Sequence, residues 1–232
     1  MKFNVPAAFG CLALVIALTT AVSHGDSLQA EKPVIVPAAA YEAPAASGQQ
    51  TAILAGGCFW GVQGVFSHVK GVKSAVSGYA GGQAGTAQYE TVSTGSTGHA
   101  EAVKIVFDPA QVSYATLLRI FFSVVADPTT LNFQGPDHGT QYRTAIFPTT
   151  PDQKMTAQRY IAQLKTARVW PRPIVTRVET GRFFPAESYH QDFLARMPNH
   201  PYIRTFDAPK VTALKQLYPA LYRAQPVLVR AG

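Results

Sequence analysis

Residues 51–61 read Thr51-Ala52-Ile53-Leu54-Ala55-Gly56-Gly57-Cys58-Phe59-Trp60-Gly61. Thr51–Ala55 is a short apolar run of strand length. Gly56-Gly57 then turns the chain. Phe59, Val62, Phe66 and Val69 recur at helical spacing, and Gly71 supplies a stop. A strand therefore passes through a glycine turn into a helix, with a cysteine at the junction.

Downstream, Val72–Tyr79 reads as a strand and Ala80 to Gly98 as a glycine-rich loop. Glu101, Val103, Ile105 and Phe107 alternate with Ala102, Lys104, Val106 and Asp108, which is a strand pattern. Ser113 can cap a helix carrying Leu117, Leu118, Phe121, Phe122 and Val125. Ala126–Thr140 reads as a polar loop and Tyr142–Phe147 as a strand. Thr150-Pro151-Asp152-Gln153 has capping-box spacing with proline at the first helical position, and that helix carries Ala157, Tyr160, Ile161 and Leu164. Ile174–Thr180 reads as a further strand, with helices at Ala186–Arg196 and Lys210–Tyr218. The leading elements run βαββαβ, the order of a two-layer ferredoxin-like plait. The expected fold is α+β: a mixed or antiparallel sheet under helices, with an added strand and C-terminal helices.

Upstream, Lys2 precedes an apolar stretch, Phe9 to Val22, and Ala21-Val22-Ser23 is a small-x-small cleavage pattern. Residues 1–23 read as a signal peptide. The expected location is exported and periplasmic, with an uncleaved membrane anchor as the alternative. Residues 24–49 are rich in Ala and Pro and read as a linker. Residues 50–232 then form a single catalytic domain. The 232-residue chain is 47% hydrophobic and 14% charged, which excludes wholesale disorder. Its net charge of +7 is scattered, with no run of three basic residues, so no nucleic-acid partner is expected.

Cutting after residue 23 removes Cys11 and leaves Cys58 as the mature chain's one cysteine. Such a thiol has no internal disulfide partner. It is a buried small hydrophobe or a reactive group. Its position at a helix N-terminus, between glycines, favours a thiolate and close approach of another molecule. Phe59 and Trp60 point about 100° apart on a helix, so both cannot face one core stripe equally. One of them can wall a pocket beside the thiol. Glu101 shares its strand face with Val103, Ile105 and Phe107. Either it is desolvated there, which raises its pKa and makes it a proton donor, or the strand end lifts it out of the core. Asp137-His138-Gly139-Thr140-Gln141-Tyr142 leads from a loop into a strand and reads as site donors and acceptors or as a plain turn. Glu187 and His190 have ExxH spacing, but no second copy accompanies them, so no metal is expected.

Five motifs together resemble the A-type peptide methionine sulfoxide reductases. They are Gly57-Cys58-Phe59-Trp60-Gly61, Gly78-Tyr79-Ala80-Gly81-Gly82, Thr97-Gly98-His99-Ala100-Glu101, Asp137-His138-Gly139-Thr140-Gln141-Tyr142-Arg143 and Pro185-Ala186-Glu187-Ser188-Tyr189-His190-Gln191. The resemblance runs from Ala52 to Tyr222. It implies repair of oxidised protein: reduction of methionine S-sulfoxide, free or in peptides and proteins, through a sulfenic acid on Cys58. Glu101 would then protonate the departing oxygen. Tyr89, Asp137 and Tyr142 would hold that oxygen, and Phe59 and Trp60 would enclose the methyl group. No metal or organic cofactor is implied. Asn199-His200-Pro201-Tyr202-Ile203 has no cysteine where many members carry one, so an external thiol, thioredoxin-like or small, must recycle the enzyme. A monomer is expected. Two rivals stay open at this point: another one-cysteine thiol enzyme such as a peroxidase, and a non-catalytic domain with an inert Cys58.

Overall fold

The computed structural model describes Met1 and residues 31–44 and 47–229. The leader reading of residues 1–23 therefore lies outside the described residues, apart from Met1.

The plait is present. β1 (Gln50–Gly56) leads through α1 (Phe59–Ser67) to β2 (Val72–Ala80), and β3 (Ala100–Phe107) follows after the short helix α2 (Tyr89–Val92). Then come α3 (Tyr114–Ile120), the hairpin strands β4 (Phe133–Gln134) and β5 (Asp137–His138), and β6 (Thr144–Ile146). The sheet order is β7-β6-β1-β3-β2-β8, with β7 at Arg177–Val178 and β8 at Phe183–Pro185. The inner strands β6, β1, β3 and β2 pair antiparallel, β8 pairs antiparallel with β2, and β7 runs parallel to β6. α4 (Pro151–Ala167), α5 (Phe193–Arg196) and α6 (Ala208–Leu217) complete the chain.

Alternation along β3 sorts its side chains. Val103, Ile105 and Phe107 enter the large core with Leu54, Phe66, Leu117 and Leu118. Ala100 and Ala102 face the other way, into a smaller cluster with Ile53, Ala145 and Phe147. Glu101 is in phase with the first set. The expected caps form: Ser113 accepts the Thr116 N–H, and Thr150 accepts the Gln153 N–H with Pro151 opening α4.

Other expectations are corrected. Residues 31–44, read as a free linker, lie against the fold as a strap without regular structure. Val34 N–H donates to Ser123 O at 2.8 Å, Tyr160 OH donates to Pro37 O at 2.7 Å, and Glu42 Oε1 accepts the Ala115 N–H at 2.9 Å. Val36 is fully buried. The strap is held by isolated bonds to distant residues, which leave no periodicity to read. The strand expected at Tyr142–Phe147 shortens to β6, because a turn over Thr140–Tyr142 returns the Tyr142 N–H to Gly139 O. The strand expected at Ile174–Thr180 shrinks to β7. The helix expected at Ala186–Arg196 is broken by Asp192, whose φ of 54° is left-handed. β8, α2 and the β4–β5 hairpin arise in stretches read as loops.

Candidate active site

β1 ends where β3 begins. Their antiparallel register pairs Leu54 with Val103, so the turn after Gly56 sits at the level of Glu101. Gly57 makes that turn with φ +89°, and a Cβ there would meet Gln134 Cβ at 2.6 Å. Both facts require glycine. Cys58 follows as the N-cap of α1 and is half-buried.

The first turn of α1 engages the acid. Phe59 N–H donates to Glu101 Oε2 at 3.0 Å. Glu101 is 3% exposed, so the exposed strand-end alternative is excluded. Burial pushes its carboxyl up to about 8. The Phe59 N–H opposes that rise, and the charges of Asp137 and Asp207 add to it. At neutral pH the group is a protonated acid.

The sulfur corrects one expectation. A helix N-terminus favours a thiolate, and the Trp60 N–H acts in that sense. Burial is the larger effect and pushes the Cys58 thiol well up, with Glu101, Asp207 and Asp137 adding to the rise. The resting residue is a neutral thiol, because burial, with the neighbouring carboxyl groups adding to it, outweighs one turn of helix.

The two aromatic residues after the cysteine diverge as their angle requires. Phe59 is buried against Tyr79 and His190, with ring centroids 5.8 and 5.0 Å away. Trp60 is half-buried. Its ring stacks on Phe193 at 3.9 Å, and the edges of Tyr202 and His200 meet it at 5.9 and 6.2 Å. Phe59 thus enters the core, and Trp60 stays nearer the surface among Phe193, His200 and Tyr202.

Tyr89, Asp137 and Tyr142 converge on the same space. Each is half-buried. Burial raises the Tyr89 and Tyr142 phenols, and the charges of Glu101, Cys58 and Asp137 raise both further. Burial also raises the Asp137 carboxyl, against the pull of a short hydrogen bond from Tyr202 OH to its Oδ2. Five candidate polar groups from α1, α2, β3, β5 and the turn before β6 therefore feel one another.

The roles of some residues went unread in the sequence. Glu187 accepts Tyr79 OH at 2.8 Å and the Tyr89 N–H at 2.9 Å, anchoring α2. His190 Nδ1 accepts Trp60 Nε1–H at 3.2 Å, and burial depresses its pKa, so the ring is neutral with its proton on Nε2. The ExxH pair thus orients the aromatic wall and Tyr89. Tyr202 and Asp207 carried no usable signal: one adjoins a proline and the other resembles a helix cap. An open groove of about 820 Å³, lined by Glu42, Ser47, Tyr114 and Thr156 among others, lies away from this site.

The family model for peptide methionine sulfoxide reductase matches residues 50–220. A peptide methionine sulfoxide reductase of Mesorhizobium japonicum is 62% identical over 186 residues, covering 80% of this chain and 95% of its own. One from Synechocystis is 52% identical over 181 residues, covering 78% and 85%. Among solved structures, methionine sulfoxide reductase A of Corynebacterium diphtheriae aligns with TM-score 0.57 at 30% identity, covering 77% of this chain and 92% of its own. Reduced Mxr1 of Saccharomyces cerevisiae aligns with TM-score 0.62 at 28% identity, covering 72% and 94%.

Proposed function

Since the chain belongs to the peptide methionine sulfoxide reductase family, oxidoreductases acting on methionine sulfoxide, we propose that Cys58 is its nucleophile and Glu101 its proton donor. The observation that carries this reading is the Phe59 N–H bond to Glu101 Oε2. It holds a protonated carboxyl one residue from the sulfur. With Oε2 accepting that N–H, the carboxyl proton resides on Oε1, free to pass to the sulfoxide oxygen.

The sulfoxide sulfur seats against Trp60, whose face suits a sulfur turning sulfonium-like. Tyr89, Tyr142 and Asp137 hold the oxygen. As Glu101 protonates it, the Cys58 sulfur bonds to the substrate sulfur and passes its own proton to the Glu101 carboxylate so formed. The substrate S–O bond and this transient S–S bond then break as the oxygen passes to Cys58 as hydroxyl. The substrate sulfur gains two electrons, and the Cys58 sulfur loses two. Two equivalents of an external thiol, thioredoxin-like or small, then return Cys58 to the thiol with release of water and a disulfide. The neutral resting thiol is compatible with this sequence, because sulfoxide protonation and thiol ionisation occur together.

The sulfoxide sulfur is chiral, and we assign this enzyme the S epimer. The leader-like segment before Ser23 supports export to the periplasm. Turnover on separated S and R sulfoxides, with thioredoxin and with a small dithiol, tests reaction and donor together. Reduction of the S epimer alone is expected. Peroxide turnover with no sulfoxide turnover would replace this reading with a thiol peroxidase.

A further inference from the structure

Behind the thiol lies a buried charged chain that the chemistry above does not use. Asp207 is wholly buried, and neither carboxylate oxygen has a hydrogen-bond partner among the described residues. It packs on the first turn of α1, where a Cβ at Gly61 would overlap its Oδ1. Lys210, one turn along, is also buried, with Nζ 3.9 Å from Asp207 Oδ1. The same Nζ lies 3.0 Å from Glu31 Oε2, whose side chain is 8% exposed. Glu31 belongs to the strap, nineteen residues before the matched family span begins at residue 50.

Three charged side chains in a dry interior do not persist without mutual neutralisation. Two carboxylates compete here for one ammonium, and the distances give it to Glu31. We propose that the Glu31–Lys210–Asp207 chain couples the N-terminal strap to Cys58. Glu31 draws the Lys210 ammonium off Asp207 and leaves the Asp207 carboxylate to act on the thiol and on Glu101. Glu31, Lys210 and Asp207 are positioning residues that touch no substrate.

The charges facing each member agree with this. Cys58 feels Glu101 from β3, Asp207 from the turn before α6 and Asp137 from β5, all opposing ionisation. The Trp60 N–H and, more remotely, the Lys210 ammonium favour it. Asp207 faces Lys210, Glu31 and Asp137, and is pushed up to about 7, chiefly by burial. Lys210 is held cationic first by Glu31 and then by Asp207. Above neutral pH the chain therefore carries two carboxylates against one ammonium. Removing Glu31 leaves Lys210 to Asp207 and cancels the field at the sulfur.

The inference rests on Cys58 being the nucleophile, but its test reads the thiol directly. In the full chain, the rate of alkylation at the Cys58 peptide is followed by mass spectrometry against pH, which separates it from Cys11. Asp207→Asn is expected to lower the midpoint by about one pH unit. Glu31→Gln is expected to lower it in the native background and to add nothing in Asp207→Asn. Glu31→Asp, shorter by one methylene, moves it the same way by less and supplies the reading if Glu31→Gln does not fold. A purely structural role would lower the melting temperature and leave the midpoint in place. An unmoved midpoint in every folded Glu31 variant, or equal shifts with and without Asp207, overturns the proposal. Turnover surviving in Cys58→Ser would instead remove the nucleophile while leaving this titration intact.

Discussion

Phe59 N–H and Glu101 Oε2 are 3.0 Å apart, so the residue that follows Cys58 in sequence holds the Glu101 carboxyl. The helix start that presents Cys58 also fixes the orientation of the carboxyl. The proposed nucleophile and proton donor are thus both tied to the first turn of α1.

Replacing Glu101 with Gln keeps the shape and removes the proton. Sulfenic acid formation is expected to slow by about 10²–10⁴-fold, as for loss of a general acid. In the native enzyme the rate should fall as pH rises through about 8, where Glu101 ionises. Rapid-quench single turnovers across pH check both statements. A native alkaline limb retained in Glu101→Gln would assign it to another group.

The same group gives a stability prediction. Its folded pKa of about 8 lies above the ordinary carboxyl value, so the folded state binds the extra proton. That favourable linkage is complete below the unfolded value near 4.5 and is lost as pH rises through 8. Glu101→Gln should therefore gain melting temperature relative to the native protein as pH goes from 5 to 8. Equal shifts at both pH values would contradict the buried, protonated acid.

Cys58→Ser is expected to abolish sulfoxide reduction. With sulfoxide and no thiol donor, the native enzyme should release about one methionine per Cys58 and then stop. A sulfenic-acid reagent such as dimedone should label Cys58 at that stage. Repeated turnovers without any thiol would refute the need for an external donor.

His190 acts through Trp60. His190→Leu removes the acceptor of the Trp60 Nε1–H and should raise KM several-fold while changing kcat little. His190→Gln, which keeps an acceptor, should recover most of the loss. Steady-state kinetics on a methionine sulfoxide peptide distinguishes this from a general fold defect, which Gln would not cure.

Gly57→Ala should cost about 1–3 kcal/mol, because it meets a φ of +89° and the Gln134 side chain together. Urea denaturation measures it. A change within a few tenths would show that the turn can relax.

The plait was legible because its signals are local and periodic. Alternation along Glu101–Phe107, the helical stripe from Phe59 to Val69, and the caps at Ser113 and Thr150 each survive in the fold. The phase of Glu101 with Val103 and Ile105 left its desolvation as one of two open readings, and its burial decides between them. The strap was illegible because Val34 and Val36 are fixed by partners about 90 residues later, at Ser123. The helix at Ala186–Arg196 failed because Asp192 turns left-handed to place its N–H on Gln63 Oε1 at 2.9 Å. The thiolate expectation counted one helix end and could not see carboxyl groups arriving from β3, β5 and the turn before α6. Asp207 lies 149 positions after Cys58, beyond the reach of any spacing rule.

The strap also bears on how the enzyme is made in the laboratory. A gene trimmed to the span matched by the family model would start at residue 50 and encode neither Glu31 nor Val36. Lys210 would keep its charge in a closed interior with only Asp207 as counter-ion, and the groove along Ser123 would stand open. Expression vectors that shorten the N-terminus need to begin upstream of Glu31, and kinetic values from shorter forms describe a different electrostatic environment.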